Sequence, residues 1–352
     1  MPILKLPGLI DIHVHLRDPG GTHKEDFATG TAAALAGGVV AVLDMPNNKP
    51  PTVDKRTLRH KAEVASQKAR CDFGFYLGAT SGNAGQKVAS REVAGLKIYV
   101  DETYGPLQVK DLATVTAHFR HWPRDKVIAV HAEGLATAMV IGLAQLYDRS
   151  AHICHVSRKA EIELIKQAKE RGAKITCEVT PHHLFLTEDD AQGLGSFGQM
   201  RPSLGRMEDR EALWANLAII DAVASDHAPH TTEEKKGKAP PPGVPGLETM
   251  LPLLLNAVSE DRLSVERVVE LTHHGPARIV GVRPPAEAYV EVDPDARYVL
   301  QGAELFTKCG WTPFEGMTIQ GRVRSVYLRG AKAYDNGEVV AAPGYGKPVI
   351  LA

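Results

Sequence analysis

Eight short apolar runs, spaced by stretches of helical character, dominate the first 226 residues of this chain. They are Leu9–Leu16, Val39–Met45, Asp72–Ala79, Gly95–Val100, Val127–Ala132, His152–Val156, Lys174–Val179 and Ala222–Asp226. Several are nearly continuous in Val, Ile, Leu and Ala, the pattern of parallel strands covered on both faces. Between them, Glu25–Ala36, Lys55–Ala69, Val109–Phe119, Thr137–Leu146, Lys159–Arg171 and Glu208–Ile219 read as helices. Small residues over 31–38 let the first of these pack close to the sheet. Repeated strand-helix units of this number predict an α/β fold of the (β/α)₈ TIM-barrel type. A doubly wound sheet competes, but no Gly-rich dinucleotide loop follows the first run.

Beyond the barrel the texture changes. Tyr289–Val292, Ala296–Leu300, Val323–Leu328 and Glu338–Val340 are β-like, and Asp335-Asn336-Gly337 is a hairpin-turn signal. The expected division is a barrel over 9–285 and a small β-rich appendage from 1–8 and 286–352. A formal net charge of −1 gives no electrostatic basis for nucleic acid or an anionic membrane as the main partner. No apolar run approaches the ~20 residues that span a bilayer, and the N-terminus lacks signal-peptide regions. Cysteines at 71, 154, 177 and 309 form no CxxC pair. That usage suits a reducing compartment, so a cytoplasmic location is expected.

Fifteen histidines stand out in number, and their placement says more. His13 and His15 are two apart on the first run, so their side chains share a face. His131 ends the fifth run, His155 the sixth and Asp226 the eighth. A lone strand histidine is ordinarily a satisfied core group. Imidazoles and a carboxylate converging on one barrel mouth instead suit Zn²⁺, with Co²⁺ or Mn²⁺ as substitutes. Lys97 sits inside an apolar strand, where an unpaired ammonium costs several kcal/mol. It either snorkels to solvent or, beside a dication cluster, reacts with CO₂ to give a bridging carbamate.

At this point the residues resemble a known family. Gly8–Arg17 (GLIDIHVHLR), continuing through Asp18–Phe27 (DPGGTHKEDF), is similar to the opening signature of the cyclic amidohydrolases, in their dihydroorotase branch. The likeness is to the dihydroorotase domains of multifunctional animal pyrimidine-synthesis proteins. It recurs in Met45-Pro46-Asn47, His152–Val156 (HICHV), Cys177–Val179, Pro181–Leu186 (PHHLFL), Ala224–His230 (ASDHAPH), Pro240–Gly243 and Gly246–Pro252. It covers nearly the whole chain.

The resemblance implies a zinc pair, with His13, His15, Lys97 and Asp226 around one metal and carboxylated Lys97, His131 and His155 around the other. Cys154 and Glu178 match the place of a third zinc in such domains. Regular strand alternation, however, turns Cys154 away from His155, and a buried cysteine is usually structural. By the same likeness Arg17, Asn47, Arg201, His230 and the backbone of Pro242 and Gly243 hold substrate, while Thr103 and Tyr104 belong to a flexible loop that closes over it. Tyr104 stands where Phe is expected. Loop 231–246 reads either as a solvated, proline-stiffened connection or as a substrate-contacting loop after the eighth strand. His182 and His183 are expected to be structural, since no metal position remains for them.

The implied reaction is zinc-dependent, reversible cyclisation of N-carbamoyl-L-aspartate to (S)-dihydroorotate, with Asp226 carrying the proton. Dihydropyrimidinase, hydantoinase and allantoinase share the metal chemistry. Arg17 disfavours the first two, whose rings lack a carboxylate. A noncatalytic scaffold is the alternative outside enzymes. A homodimer, and carbamoyl-phosphate synthetase and aspartate transcarbamoylase as fused or associated enzymes, are the partners the likeness implies.

Overall fold

The computed structural model describes residues 3–84 and 92–351. Met1, Pro2 and Ala352, which belong to the expected appendage, lie outside the described residues. After β1 (Leu4–Pro7), eight parallel strands lie side by side in chain order. They are β2 (Leu9–Val14), β3 (Val39–Asp44), β4 (Asp72–Gly78), β5 (Gly95–Tyr99), β6 (Val127–His131), β7 (Ala151–Ile153), β8 (Ile175–Val179) and β9 (Ala222–Val223). β2 to β6 are buried along their whole length, which explains their continuous apolar character. The seam between β9 and β2 closes without a ladder of its own. A single bridge joins Val14 to His227, and the Asp11 carboxylate accepts the Ser225 N–H at 3.2 Å.

The barrel is a packed body. Ile10, Ile12, Ala41, Leu43, Tyr76 and Ala129 fill its interior, while Leu9, Val42, Phe73, Ile98 and Val130 pack outward against the helices. Asp side chains set the helix starts. Asp26 caps Phe27–Ala36, and Asp111 caps Leu112–His121 by accepting the Thr114 N–H. Both helices therefore begin later than periodicity alone predicts. Behind the first, Gly37 has no alternative, because a Cβ there would lie 2.1 Å from the Leu247 carbonyl oxygen. The expected helix over 208–219 divides into Met207–Ala215 and a tight turn at Leu217–Ile219. Residues 250–280 form helices Met250–Ser259, Val265–Val269 and Gly275–Val280 and extend the outer layer.

The C-terminal part supplies β10 (Val282–Arg283), β11 (Tyr289–Val299), β12 (Thr318–Leu328), β13 (Ala331–Asp335), β14 (Glu338–Val339) and β15 (Ile350–Leu351). An antiparallel sheet runs β1-β11-β12-β13-β14. β11 joins two of the expected runs across an irregularity between Asp293 and Arg297. The predicted hairpin turns through left-handed Asn336 and Gly337, with φ of 45° and 94°. The last residues return to the barrel: β15 pairs with β10, and Val349 and Leu351 pack against the interior cluster.

Candidate active site

A local irregularity decides where the first two histidines point. Leu9 and Val14 face the outer core, whereas Ile10 and Ile12 face the interior. Strict alternation places Val14 with Ile10 and Ile12. The register instead shifts between Asp11 and Val14, so the strand end changes phase. His13 and His15 then reach into the barrel mouth, where both face Asp226 from the opposite side of the seam. His13 Nε2 lies 3.4 Å and His15 Nε2 3.1 Å from Asp226 Oδ1. His13 Nδ1 meets the Glu178 carboxylate in a short contact.

The remaining expected metal residues gather around this pair. His131 Nδ1 and His155 Nε2 stand 2.9 Å apart at the ends of β6 and β7. Lys97 is fully buried on β5 and its Nζ lies 2.9 Å from Cys154 Sγ. Among the described residues it forms no ion pair with a carboxylate. Ligand atoms of His13, His155 and Asp226 fall within 4.8 Å of one another, as do those of His13, Cys154 and Glu178. Strand alternation does not govern Cys154, because β7 ends at Ile153 and His155 adopts φ 36°. Past the strand's end, consecutive residues Cys154 and His155 each bring a ligand-type atom near His13. Arg17 and Asp226 share this left-handed backbone, with φ of 61° and 44°, a strain that clusters at functional sites.

The donor set fits a divalent cation on its own chemistry. Asn47 Nδ2 donates to the Tyr104 carbonyl at 2.9 Å, so its Oδ1 accepts from His15 Nδ1 at 2.8 Å. Burial pushes the His15 imidazole down to about 4, against the opposing pull of Asp226, so it is neutral. Its unprotonated Nε2 therefore faces a carboxylate oxygen lone pair to lone pair, an arrangement that asks for a cation between them. Burial and the neighbouring His131 and His13 likewise push His155 well below the usual imidazole range, the neutral form that a metal would require. Among the described residues His155 Nδ1 is buried without a hydrogen-bond partner, and His131 Nε2 meets only Glu133 Oε1, at 3.4 Å. Burial raises the Asp226 carboxyl, but His13 and His15 outweigh it and hold it well below the usual carboxylate range. Burial and Lys97 lower His13, yet Glu178 and Asp226 lift it to about 10, a further sign that the centre calls for positive charge.

Beside this cluster lies a small cavity of about 30 Å³, lined by His15, Arg17, Asn47, Thr103, Tyr104, Arg201, Asp226, Pro242 and Gly243. The Arg17 guanidinium is buried, donates through Nε to the Pro229 carbonyl at 3.2 Å, and lies 3.2 Å from His230 Nε2. Burial, then Arg17 and Lys24, keep His230 neutral. Pro242 and Gly243 are less free than expected. The Gly243 N–H donates to Gln199 O at 2.9 Å, its carbonyl accepts from Lys235, and the Pro242 carbonyl faces His230 Nε2 at 3.0 Å. Tyr104 closes the pocket from above, its ring 4.9 Å from His230 in an edge contact. Its hydroxyl, the departure from the expected Phe, accepts from Lys24 Nζ at 2.9 Å.

Comparison with known proteins places this geometry. The family model for the amidohydrolase family matches residues 4–288. The chain belongs to the amidohydrolase family. This amidohydrolase is 50% identical over 349 residues to the multifunctional protein CAD of Squalus acanthias, covering 99% of the chain and 16% of that relative. It is 35% identical to the dihydroorotase of Pyrococcus furiosus, covering 96% of the chain and 83% of that enzyme. Among solved structures it resembles the inactive dihydroorotase-like domain of the Chaetomium thermophilum CAD-like multifunctional protein. That match has a TM-score of 0.84 and 30% identity, covering 99% of each chain. The chain is thus a dihydroorotase-like amidohydrolase with a buried His/Asp cluster suited to metal.

Several residues around the amidohydrolase site escaped sequence reasoning. Lys61 and Asp44 form a fully buried ion pair at 2.6 Å. Lys61 also donates to Met45 O and Asn48 Oδ1, and Asp44 accepts the Leu16 N–H, so one pair braces the segments bearing Asn47 and Arg17. His152 Nε2 holds Glu178 at 3.0 Å. His183 is satisfied by Thr180 and Pro202, as expected of a structural group. His182 differs: among the described residues its buried Nε2 has no hydrogen-bond partner, and its imidazole helps lower Asp226. A lysine in a polar run carries no local sign that it is buried, and only tertiary packing exposes these roles.

Proposed function

We propose that this chain is a dihydroorotase, reversibly cyclising N-carbamoyl-L-aspartate to (S)-dihydroorotate with loss of water, the third step of de novo pyrimidine synthesis. One observation carries the reading: Arg17, Asn47, Arg201 and the His230 contact of Arg17 converge on a pocket that opens directly on His15 and Asp226. A buried guanidinium beside a neutral imidazole suits a substrate carboxylate.

His13, His15, Lys97 and Asp226 would hold one zinc, and Lys97, once carboxylated, would hold a second with His131 and His155; His13, Cys154 and Glu178 would offer a third. The chemistry that bound zinc supplies is Lewis acidity toward the scissile carbonyl and the attacking water. Asp226, ionised in its pocket, accepts the proton of that water as the C–O bond forms. It returns that proton to the ring nitrogen as the C–N bond breaks, leaving a ureido N–H and a carboxylic acid whose own proton is released to solvent to give the carboxylate. Arg17, Asn47, Arg201 and His230 orient the ring by its carboxylate and polar edge. The Thr103–Tyr104 loop lines this cavity and is the part that would move to admit a ring.

We further propose the barrel over 9–285 and the appendage from 1–8 and 286–352 as structural units, and a homodimeric, cytoplasmic enzyme. Carbamoyl-phosphate synthetase and aspartate transcarbamoylase are its proposed fused or associated enzymes. No helix among the described residues is long and apolar enough to cross a membrane.

A noncatalytic reading has one specific motive, the likeness to an inactive domain. Turnover with dihydroorotate, dihydrouracil, hydantoin and allantoin, alongside metal content per chain, separates the possibilities. Preference for dihydroorotate with at least two zinc ions supports the proposal. Preference for an uncharged ring refutes the substrate, and an inert protein with less than one metal per chain refutes the activity.

A further inference from the structure

We propose that Lys235 is a positioning residue for substrate recognition: its buried side chain ties the loop bearing Arg201 to the loop bearing Pro242 and Gly243, and so sets the width of that edge of the pocket. The inference rests on the reading of those residues as substrate contacts.

Lys235 ends the short helix Thr232–Lys235 in the run Glu233-Glu234-Lys235-Lys236. Its neighbours Glu233 and Lys236 are exposed, yet Lys235 is 0% exposed. Nζ donates to the carbonyls of Gln199, Pro241 and Gly243, each at 3.1 Å. Three N–H donors thus meet three main-chain acceptors, and among the described residues no carboxylate pairs with the charge. Gln199 lies two residues before Arg201, and Pro241 and Gly243 flank Pro242. The direct Gly243 N–H to Gln199 O bond of 2.9 Å supplements the tether.

The site beneath is built as well. The Trp311 ring lies 5.4 Å from Nζ, and its Nε1–H donates to the His230 carbonyl at 2.8 Å. Met200, Val244, Leu253, Trp311 and Phe314 form a separate apolar cluster behind the two loops. His230, Arg201 and the Pro242-Gly243 backbone therefore meet around one buried cation, with the C-terminal segment as its floor. Burial lowers the Lys235 amine to about 8, which leaves the three-donor ammonium as the main form at neutral pH. A merely structural lysine could be buried anywhere; this one links the two loops that line the same wall of the pocket.

Hydrogen exchange of the full chain tests the tether without reference to activity. In Lys235→Met, segments 196–203 and 238–246 should both exchange about tenfold faster, while the barrel strands keep their protection. With dihydroorotate, KM should rise about tenfold with kcat within twofold, the signature of lost ground-state positioning. Lys235→Arg, which keeps the cation and several donors, should restore both readouts to within about threefold of the parent. Lys235→Gln serves in place of methionine if that variant is insoluble. Faster exchange in neither loop, in one loop only, or throughout the barrel overturns the tether. Loosened loops with unchanged KM overturn the positioning role. A parent protein that does not turn over dihydroorotate defeats the proposed function instead, and the exchange result still decides the tether.

Discussion

Replacing Arg17 with methionine removes a buried guanidinium while keeping most of its length. Two of its contacts are internal, Nε to Pro229 O and Nη2 to His230, each at 3.2 Å. Five N–H groups are available on the side chain, so donors remain for a ligand carboxylate. Charge-assisted bonds to a carboxylate contribute about 1.5–3 kcal/mol each, and a bidentate pair after desolvation about 3 kcal/mol. At 1.4 kcal/mol per factor of ten, kcat/KM for dihydroorotate should fall about 150-fold. The loss should sit mainly in KM, because the carboxylate is bound in ground and transition states alike. Dihydrouracil carries no carboxylate, so its kcat/KM should change by less than about threefold. Steady-state rates on both substrates, with urea midpoints to confirm that folding is intact, measure the effect. Equal losses on the two substrates would show that Arg17 acts by shaping its left-handed backbone segment rather than by pairing with substrate.

Other outcomes follow from the same contacts. Lys61→Met strands the buried Asp44 charge and should cost about 3–5 kcal/mol in urea unfolding. Lys61→Met with Asp44→Asn should be more stable than Lys61→Met alone, since asparagine still accepts the Leu16 N–H; a less stable double variant contradicts the ion-pair account. Gly243→Ala places a Cβ 2.5 Å from Ala228 O at φ 134°, so about 1–3 kcal/mol of strain and a raised KM are expected. Parent-like kinetics and stability would exclude the constraint. Burial lifts Glu248 from 4.5 to about 8, outweighing the Phe306 and Thr307 N–H donors. Because the folded value is raised, its contribution to stability is present below pH 4.5 and is lost as pH rises through 8. Glu248→Gln should flatten the dependence of the urea midpoint between pH 5 and 8, and an unchanged slope rules this group out.

What was legible in the sequence is what strand periodicity and side-chain chemistry encode locally. Continuous apolar runs marked the parallel strands because both faces are covered. The two-residue spacing of His13 and His15 announced a shared direction, and the chemistry of His131, His155 and Asp226 pointed to a cluster at one end of the barrel. Local pattern also has limits: alternation turns Cys154 away from His155 by extending a strand that stops at Ile153, and a charged run gives no sign that Lys235 is buried. Only the tertiary structure decided the phase shift at Asp11–Val14, the return of β15 beneath the barrel, and the partners of the buried cations. His13 meets Glu178 across 165 positions, and Lys24 meets Tyr104 across 80. Periodicity carries direction within one element, whereas these pairings arise when eight strands close on one another, a condition no short window of sequence contains.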